Sequence, residues 1–307
     1  MLRYVIRRLV EMIPTTVGIL LLTFVLFNVI GGSPAETVLG KNATREAIAA
    51  FDHRWGYDLP LHRQFLNYLV QLAHFDFGYS HENARPVVEV LADGVGPSLS
   101  LTVPILVGGV AFALMFGMLA AAFRGRLADR AILFGSTVLM SVNYVVWVIL
   151  GQYFLSFRAG IFPIWGYESA YYLALPVAIG IFSGLGPDVR FFRTAILDEL
   201  YRPYVLTARA KRLSGAAVMV RHVLPNALIP IVTYVSLSIP YLFTGSLLLE
   251  SFFGIPGLGS VSINAIHSAD MAVVRAVVVL GALLYQFVNL ASDVLYSFLD
   301  PRVRLAG

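Results

Sequence analysis

Hydrophobic and polar positions fall in blocks along this chain rather than alternating. Six stretches run without a single Asp, Glu, Lys or Arg: residues 12–35, 94–123, 131–157, 169–187, 222–249 and 276–292. Each has a dense aliphatic and aromatic core, and about 20 mostly apolar residues suffice for a helix to cross a bilayer. The pattern predicts six transmembrane helices. A seventh uncharged stretch, 251–269, reads SFFGIPGLGSVSINAIHSA, with three Gly, one Pro and four Ser. Only its first residues are strongly apolar, so it is expected to be a loop, one able to dip into the membrane.

Composition supports a polytopic, all-α membrane protein. Of 307 residues, 58% are hydrophobic and 13% charged, the latter about half the usual share of a soluble domain. Mean hydropathy is +0.77. The opening segment has a basic start (Arg3, Arg7, Arg8). Its apolar run is too long for a signal peptide, and no small-x-small cleavage site follows it, so it reads as an uncleaved first helix. The chain has no cysteine, which removes disulfides, thiolate metal sites and a cysteine nucleophile.

Charge placement sets the expected orientation. With the N-terminus inside, the pieces 1–11, 124–130, 188–221 and 299–307 carry 3, 3, 7 and 2 basic residues, whereas the short outer pieces carry only Arg158 and Arg275. Basic residues mark cytoplasmic loops, and long loops such as 32–98 escape the rule. Both termini are therefore expected in the cytoplasm.

Two soluble pieces remain. In the outer one, Thr44 can cap a helix REAIAAF. Asp58-Leu59-Pro60 puts Pro at a helix start, ahead of Phe65, Leu66, Tyr68, Leu69 and Leu72 at helical spacing. A small helical subdomain is expected there, either packed over the bundle or offered to an external partner. The inner piece reads DVRFFRTAILDELYRPYVLTARAKRLSGAAVMVR. Pro203 suits a first helical position, and Val205, Ala208 and Arg209 share one face. Small side chains on that face suit a partner's groove; the alternative is a basic helix held on anionic lipid.

The chain carries no fuel site of its own. Neither lysine, Lys41 nor Lys211, stands in a P-loop pattern. Leu213-Ser214-Gly215-Ala216 is a chance likeness to an ATPase signature. Ion-coupled carriers place acidic residues at mid-membrane, but Glu250 and Asp293 fall at the margins of the predicted spans. His53, His62, His74, His81, His222 and His267 show no metal-binding spacing, and no hydrolytic triad or nucleic-acid signature is present. A self-sufficient channel or secondary carrier, and a membrane-anchored assembly or sensor protein, remain the rival classes. Polar residues inside spans mark either a solute path or helix–helix hydrogen bonds; these are Asn143, Gln152, Ser236, Ser238 and Gln286.

The inner loop resembles the EAA loop of bacterial ABC-importer permeases, with pattern positions on Leu206-Thr207-Ala208, Arg212, His222 and Leu224-Pro225. The run TARAKRLS…RHVLPNALIPIVT is similar to the dipeptide/oligopeptide/nickel (OppB/DppB-type) branch. LRYVIRRLVEMIPTTVGILLLTFVLF, GGSPAETVLG, ATREAIAAF, GYDLPLHRQFLNYLVQL, FDFGYS, RPVVEVL, ESFFGIPGLG and DVLYSFLDPRVR continue the likeness in order along the whole chain. Leu206 stands where the pattern has an acidic residue, Ser33 where the branch commonly has Asp, and Arg212 where the family has a Gly that ends a short helix.

The resemblance implies a type I ABC importer permease fold in the bacterial inner membrane. Residues 1–31 would form the first segment and helix, 32–96 a periplasmic helical subdomain, and 97–307 the core with five helices and a coupling loop at 188–225. It implies a second homologous permease subunit as heterodimer partner, two cytoplasmic ATP-binding subunits that hold ATP and Mg2+, and an extracytoplasmic solute-binding protein. The chain itself would bind no cofactor and catalyse nothing. Implied substrates are peptides, nickel or metal chelates, opines or oligosaccharides. Coupling would fall to Tyr204, Thr207, Ala208, Arg209, Lys211, Arg212, Leu213 and Gly215, with Leu224 and Pro225 fixing the return to the membrane. Ala208 is expected to face the ATPase, and Gly215 to take over the turn that the family Gly makes, lengthening the coupling helix by a turn.

Overall fold

The computed structural model describes residues 2–31, 35, 39, 40, 43–239, 242 and 246–299, without the side chains of 2–6, 8, 55 and 292–299. Ser33, Lys41, the Asp293 side chain and residues 300–307 lie outside that description.

Five helices are long and apolar enough to cross a membrane. They are α1 (Leu2–Phe24, continued by a wider turn over Val25–Ile30), α4 (Val87–Ala122), α7 (Ala170–Leu200), α9 (Gly215–Ser236) and α12 (Met271–Leu299). Two bent pairs meet the same test only when their members are joined. Helices α5 (Leu127–Ser141) and α6 (Tyr144–Arg158) turn by 92°, and α10 (Leu247–Phe253) and α11 (Leu258–His267) turn by 82°. The expected six spans fall within this range of five to seven. The stretch 131–157 is the first bent pair. Its break sits at Asn143, whose backbone is extended and whose side-chain oxygen accepts from Val145 N at 2.9 Å, offering the chain an alternative to a helical bond.

The stretch 251–269, expected as a loop able to dip into the membrane, is largely helical and sharply bent, the geometry of a broken span or a re-entrant loop. Gly254, in the left-handed region at φ +67°, ends α10, and α11 begins after Gly257. The Gly and Pro that suggested a loop are confined to this corner.

The core is built on α4 and α7, which lie along each other. Glycine permits the approach: a Cβ at Gly117 would stand 3.1 Å from the backbone nitrogen of Arg193. Phe192, Val189, Ala113 and Ile231 fill the middle of the interface among α4, α7 and α9. Near the end of α7, Asp129 and Arg193 form a two-pronged ion pair at 2.7 and 2.8 Å, and Gly125 N donates to the same carboxylate. Many large side chains point outward, among them Leu22, Ile30, Val107, Phe134 and Phe287, as the surface of a helix bundle in lipid requires.

The outer segment holds two helices, of which the second rests on this bundle. Thr44 caps α2 (Arg45–Trp55) by accepting from Ala47 N at 3.2 Å. Pro60 occupies the capping position of α3 (Leu61–Ala73) rather than its first turn. Phe65 and Tyr68 of α3 pack on Phe24 of α1. Buried Asp270, just before α12, accepts from Ser80 Oγ at 2.6 Å and ties the segment ahead of α4 to the bundle.

Candidate functional site: a docked surface helix and a membrane cavity

Residues 201–214 connect α7 to α9, so both ends of the expected loop 188–225 are helical. α7 continues past its last apolar stretch to Leu200, and α9 starts at Gly215, where Ser214 Oγ accepts from Ala217 N at 3.2 Å. Leu224 and Pro225 therefore lie inside α9. Proline has no N–H and its ring clashes with the carbonyl four residues earlier. The helix answers with a wider, π-helical turn over Met219–Val223.

The short turn holds α8 (Pro203–Ala210), with Pro203 in its first turn as expected. One face is locked inward. Val205 is 0% and Ala208 5% exposed, packed with Ala121, Ile196, Leu197, Val218, Val223 and Ala227. This corrects the expected direction of Ala208: its small side chain fits the chain's own core, not a partner's groove. Tyr204 is a staple as well. Its hydroxyl donates to Glu199 Oε2 at 2.7 Å. Burial, then the Glu199 carboxylate, push the phenol up to about 12, so it stays a donor at any physiological pH. Leu213 is half-buried on the same cluster.

The opposite face is open. Leu206, Thr207, Arg209, Ala210, Lys211 and Arg212 are exposed, Leu206 at 66%. Arg202 is tethered to Glu199 at 3.6 Å. The result is a basic surface with one apolar side chain raised at its centre.

Arg212 corrects a second expectation. The left-handed turn that ends α8 is made by Arg212 itself, at φ +57°, and not by Gly215, which opens α9. The helix stops at Ala210 and gains no extra turn. Left-handed backbone costs an L-residue roughly 1–2 kcal/mol relative to the right-handed form, which explains why glycine suits this site.

A cavity of about 380 Å³ lies between α4, α7 and α9. Of the five polar residues within the predicted spans, only Ser238 lines it. Asn143 caps α6. Gln152 Nε2 donates to the carbonyls of Ile164 and Phe252, both at 2.9 Å. Ser236 donates to Val232 O within its own helix, and Gln286 Oε1 accepts from Thr16 at 2.7 Å, joining α12 to α1. Asn143 and Ser236 thus bond within their own segments, and Gln152 and Gln286 between segments.

Sequence reading missed two carboxylates. Asp188, placed in a loop because it ended an uncharged run, is inside α7 and lines the cavity. Glu250, placed at a span margin, is fully buried. Its two oxygens accept from Ser98 Oγ (2.8 Å), Ser246 N (3.0 Å), Gly259 N (2.6 Å) and Ser260 N (3.1 Å). It holds the corner between α10 and α11. No spacing rule points to it, because its partners lie far away in the chain or across a turn.

Long apolar helices around a membrane cavity, with a short polar helix docked at one end, define a multi-pass transport permease. The chain belongs to the family described as binding-protein-dependent transport system inner membrane component, which its residues 113–305 match; residues 1–102 match that family's N-terminal segment. It is similar to the glutathione transport system permease protein GsiC of Salmonella typhimurium, 34% identical over 305 residues, and of Escherichia coli, 33% identical over 308 residues, with 99% of each chain covered. These matches bear out the ABC-importer permease family that the loop motifs implied, and the function is that of a binding-protein-dependent importer's permease.

Proposed function

We propose that this chain forms half of the translocation path of an ATP-driven importer of small peptide-like solutes. The relatives named for glutathione transport, itself a small peptide, support this substrate class over nickel, opines or oligosaccharides. A second homologous permease supplies the other half of the path. Two cytoplasmic ATP-binding subunits hold ATP and Mg2+ and carry out hydrolysis, and an extracytoplasmic binding protein delivers the solute. Residues 1–31, 32–96 and 97–307 act as first helix, periplasmic subdomain and permease core in the inner membrane, with both termini in the cytoplasm.

The observation that carries this reading is α8. A lever needs one face fixed to the moving part and one face free for the driver. Val205 and Ala208 fix α8 to the ends of α4, α7 and α9, while Leu206, Thr207, Arg209, Lys211 and Arg212 face outward. When the ATPase dimer closes, a load on the outer face tilts packed helices as rigid bodies, and the path alternates between the two sides.

Co-expression tests it. The chain with its second permease, both ATPases and the binding protein should import glutathione at the expense of ATP, and the chain alone should import none. Reporter fusions near residue 60 should be periplasmic and near residue 205 cytoplasmic. ATP-independent import by the chain alone, or a periplasmic reporter at 205, would overturn the proposal.

A further inference from the structure

Among the described residues lining the cavity, Asp188 alone carries a formal charge. Its Oδ1 accepts from the Tyr234 hydroxyl at 2.8 Å, and its Oδ2 has no hydrogen-bond partner among the described residues. The two basic side chains that follow it in α7 make their hydrogen bonds to other groups. Arg190 donates through Nη2 to Leu133 O and to Thr137, while its Nε is buried with no partner among the described residues, and Arg193 is held by Asp129. An ionised group at membrane depth is costly unless something pairs with it. Among the described residues no cation is hydrogen-bonded to Asp188.

The surroundings show what would. The cavity is of the size that encloses a small solute, and its walls are largely apolar with a few hydroxyls. Tyr234 stacks on Phe191 at 4.5 Å and meets Phe192 edge-on at 6.2 Å, so the ring that orients the carboxylate is itself fixed. Oδ2 lies 3.8 Å from where a Cβ of Gly184 would stand; the missing side chain leaves that oxygen approachable. Aromatic faces beside a carboxylate favour an organic cation. No group of three or more His, Cys, Asp or Glu that could hold a metal ion occurs among the described residues, which argues against a metal ion here.

We infer that Asp188, steadied by Tyr234, recognises the ammonium group of a peptide-like solute as it crosses the cavity. This inference rests on the import reading above and narrows its substrate to solutes with a free amine.

The test uses the fully assembled transporter in vesicles, with glutathione and N-acetylglutathione as probes and with subunit abundance and ATPase co-purification as controls. Asp188→Asn should lower glutathione uptake at least tenfold at normal abundance and assembly. Asp188→Glu should restore much of it, and Tyr234→Phe should cost about two- to fivefold. Full glutathione uptake by Asp188→Asn would overturn the inference while leaving the importer intact. So would a loss in Asp188→Asn matched by Asp188→Glu, or equal losses for glutathione and N-acetylglutathione. A wild-type assembly that carries no glutathione would overturn the peptide reading, and this inference with it.

Discussion

Two short helical features, α8 and the α10–α11 corner, are fastened to the bundle by opposite means. α8 is held by apolar burial, with Val205 and Ala208 sunk among Ile196, Val218 and Val223 and its polar side left to water. The α10–α11 corner is held by one buried carboxylate with four donors. The contrast follows from the solvent. Where water bathes one side, burying methyl groups is favourable and the backbone ends stay hydrated. Where the chain turns inside protein, the freed N–H groups of Ser246, Gly259 and Ser260 have no water, and an acceptor must be built in. The outer face of α8 should therefore tolerate change without harm to the fold, whereas the inner corner cannot lose its anchor.

The largest effect should come from that anchor. Glu250→Ala strips acceptors from Ser98 and three backbone N–H groups at once. At about 1–3 kcal/mol for each buried group left unsatisfied, the membrane abundance of the chain should collapse, as immunoblotting of membranes would show. Normal abundance would mean that the corner is held by packing alone.

The two faces of α8 should separate fold from coupling. Ala208→Glu drives an unpaired carboxylate among valines, at a cost of a few kcal/mol, so it should lower abundance or release α8. Leu206→Asp changes only the exposed face. It should leave abundance normal and cut uptake by the assembled transporter at least tenfold. Normal abundance with Ala208→Glu would reverse the assigned faces.

The smallest effect should come from Arg212→Gly. Relief of a left-handed arginine should add about 1 kcal/mol of local stability, read as slower proteolysis of the 201–214 turn, with uptake unchanged. Lost uptake would give the Arg212 side chain a part in ATPase contact that the backbone does not reveal.

Much of this was legible in the sequence because a bilayer imposes long uncharged runs: the five crossing helices all overlap predicted stretches. The Thr44 cap and Pro203 in the first turn of α8 were legible for a similar reason, since each satisfies a local backbone rule. Direction and distance were not legible. Helical spacing puts Val205, Ala208 and Arg209 on one face, but only Val205 and Ala208 are buried and Arg209 is exposed, and spacing alone could not say which way the face points. Asp188 ends an uncharged run and so reads as loop, whereas a carboxylate can lie within a helix where it meets a cavity. The glycines of 251–269 suggested a loop because the acceptor that organises them, Glu250, works through Ser98 and a turn.

The most direct test of the lever uses the absence of native cysteine in the chain. Single Thr207→Cys, Arg209→Cys and Val205→Cys variants would be labelled with a water-soluble maleimide in inside-out vesicles, with and without the two ATPase subunits. The account predicts that positions 207 and 209 react quickly without the ATPases and are protected when they are present, while position 205 reacts slowly in both. Equal labelling at 207 and 209 with and without the ATPases would contradict it.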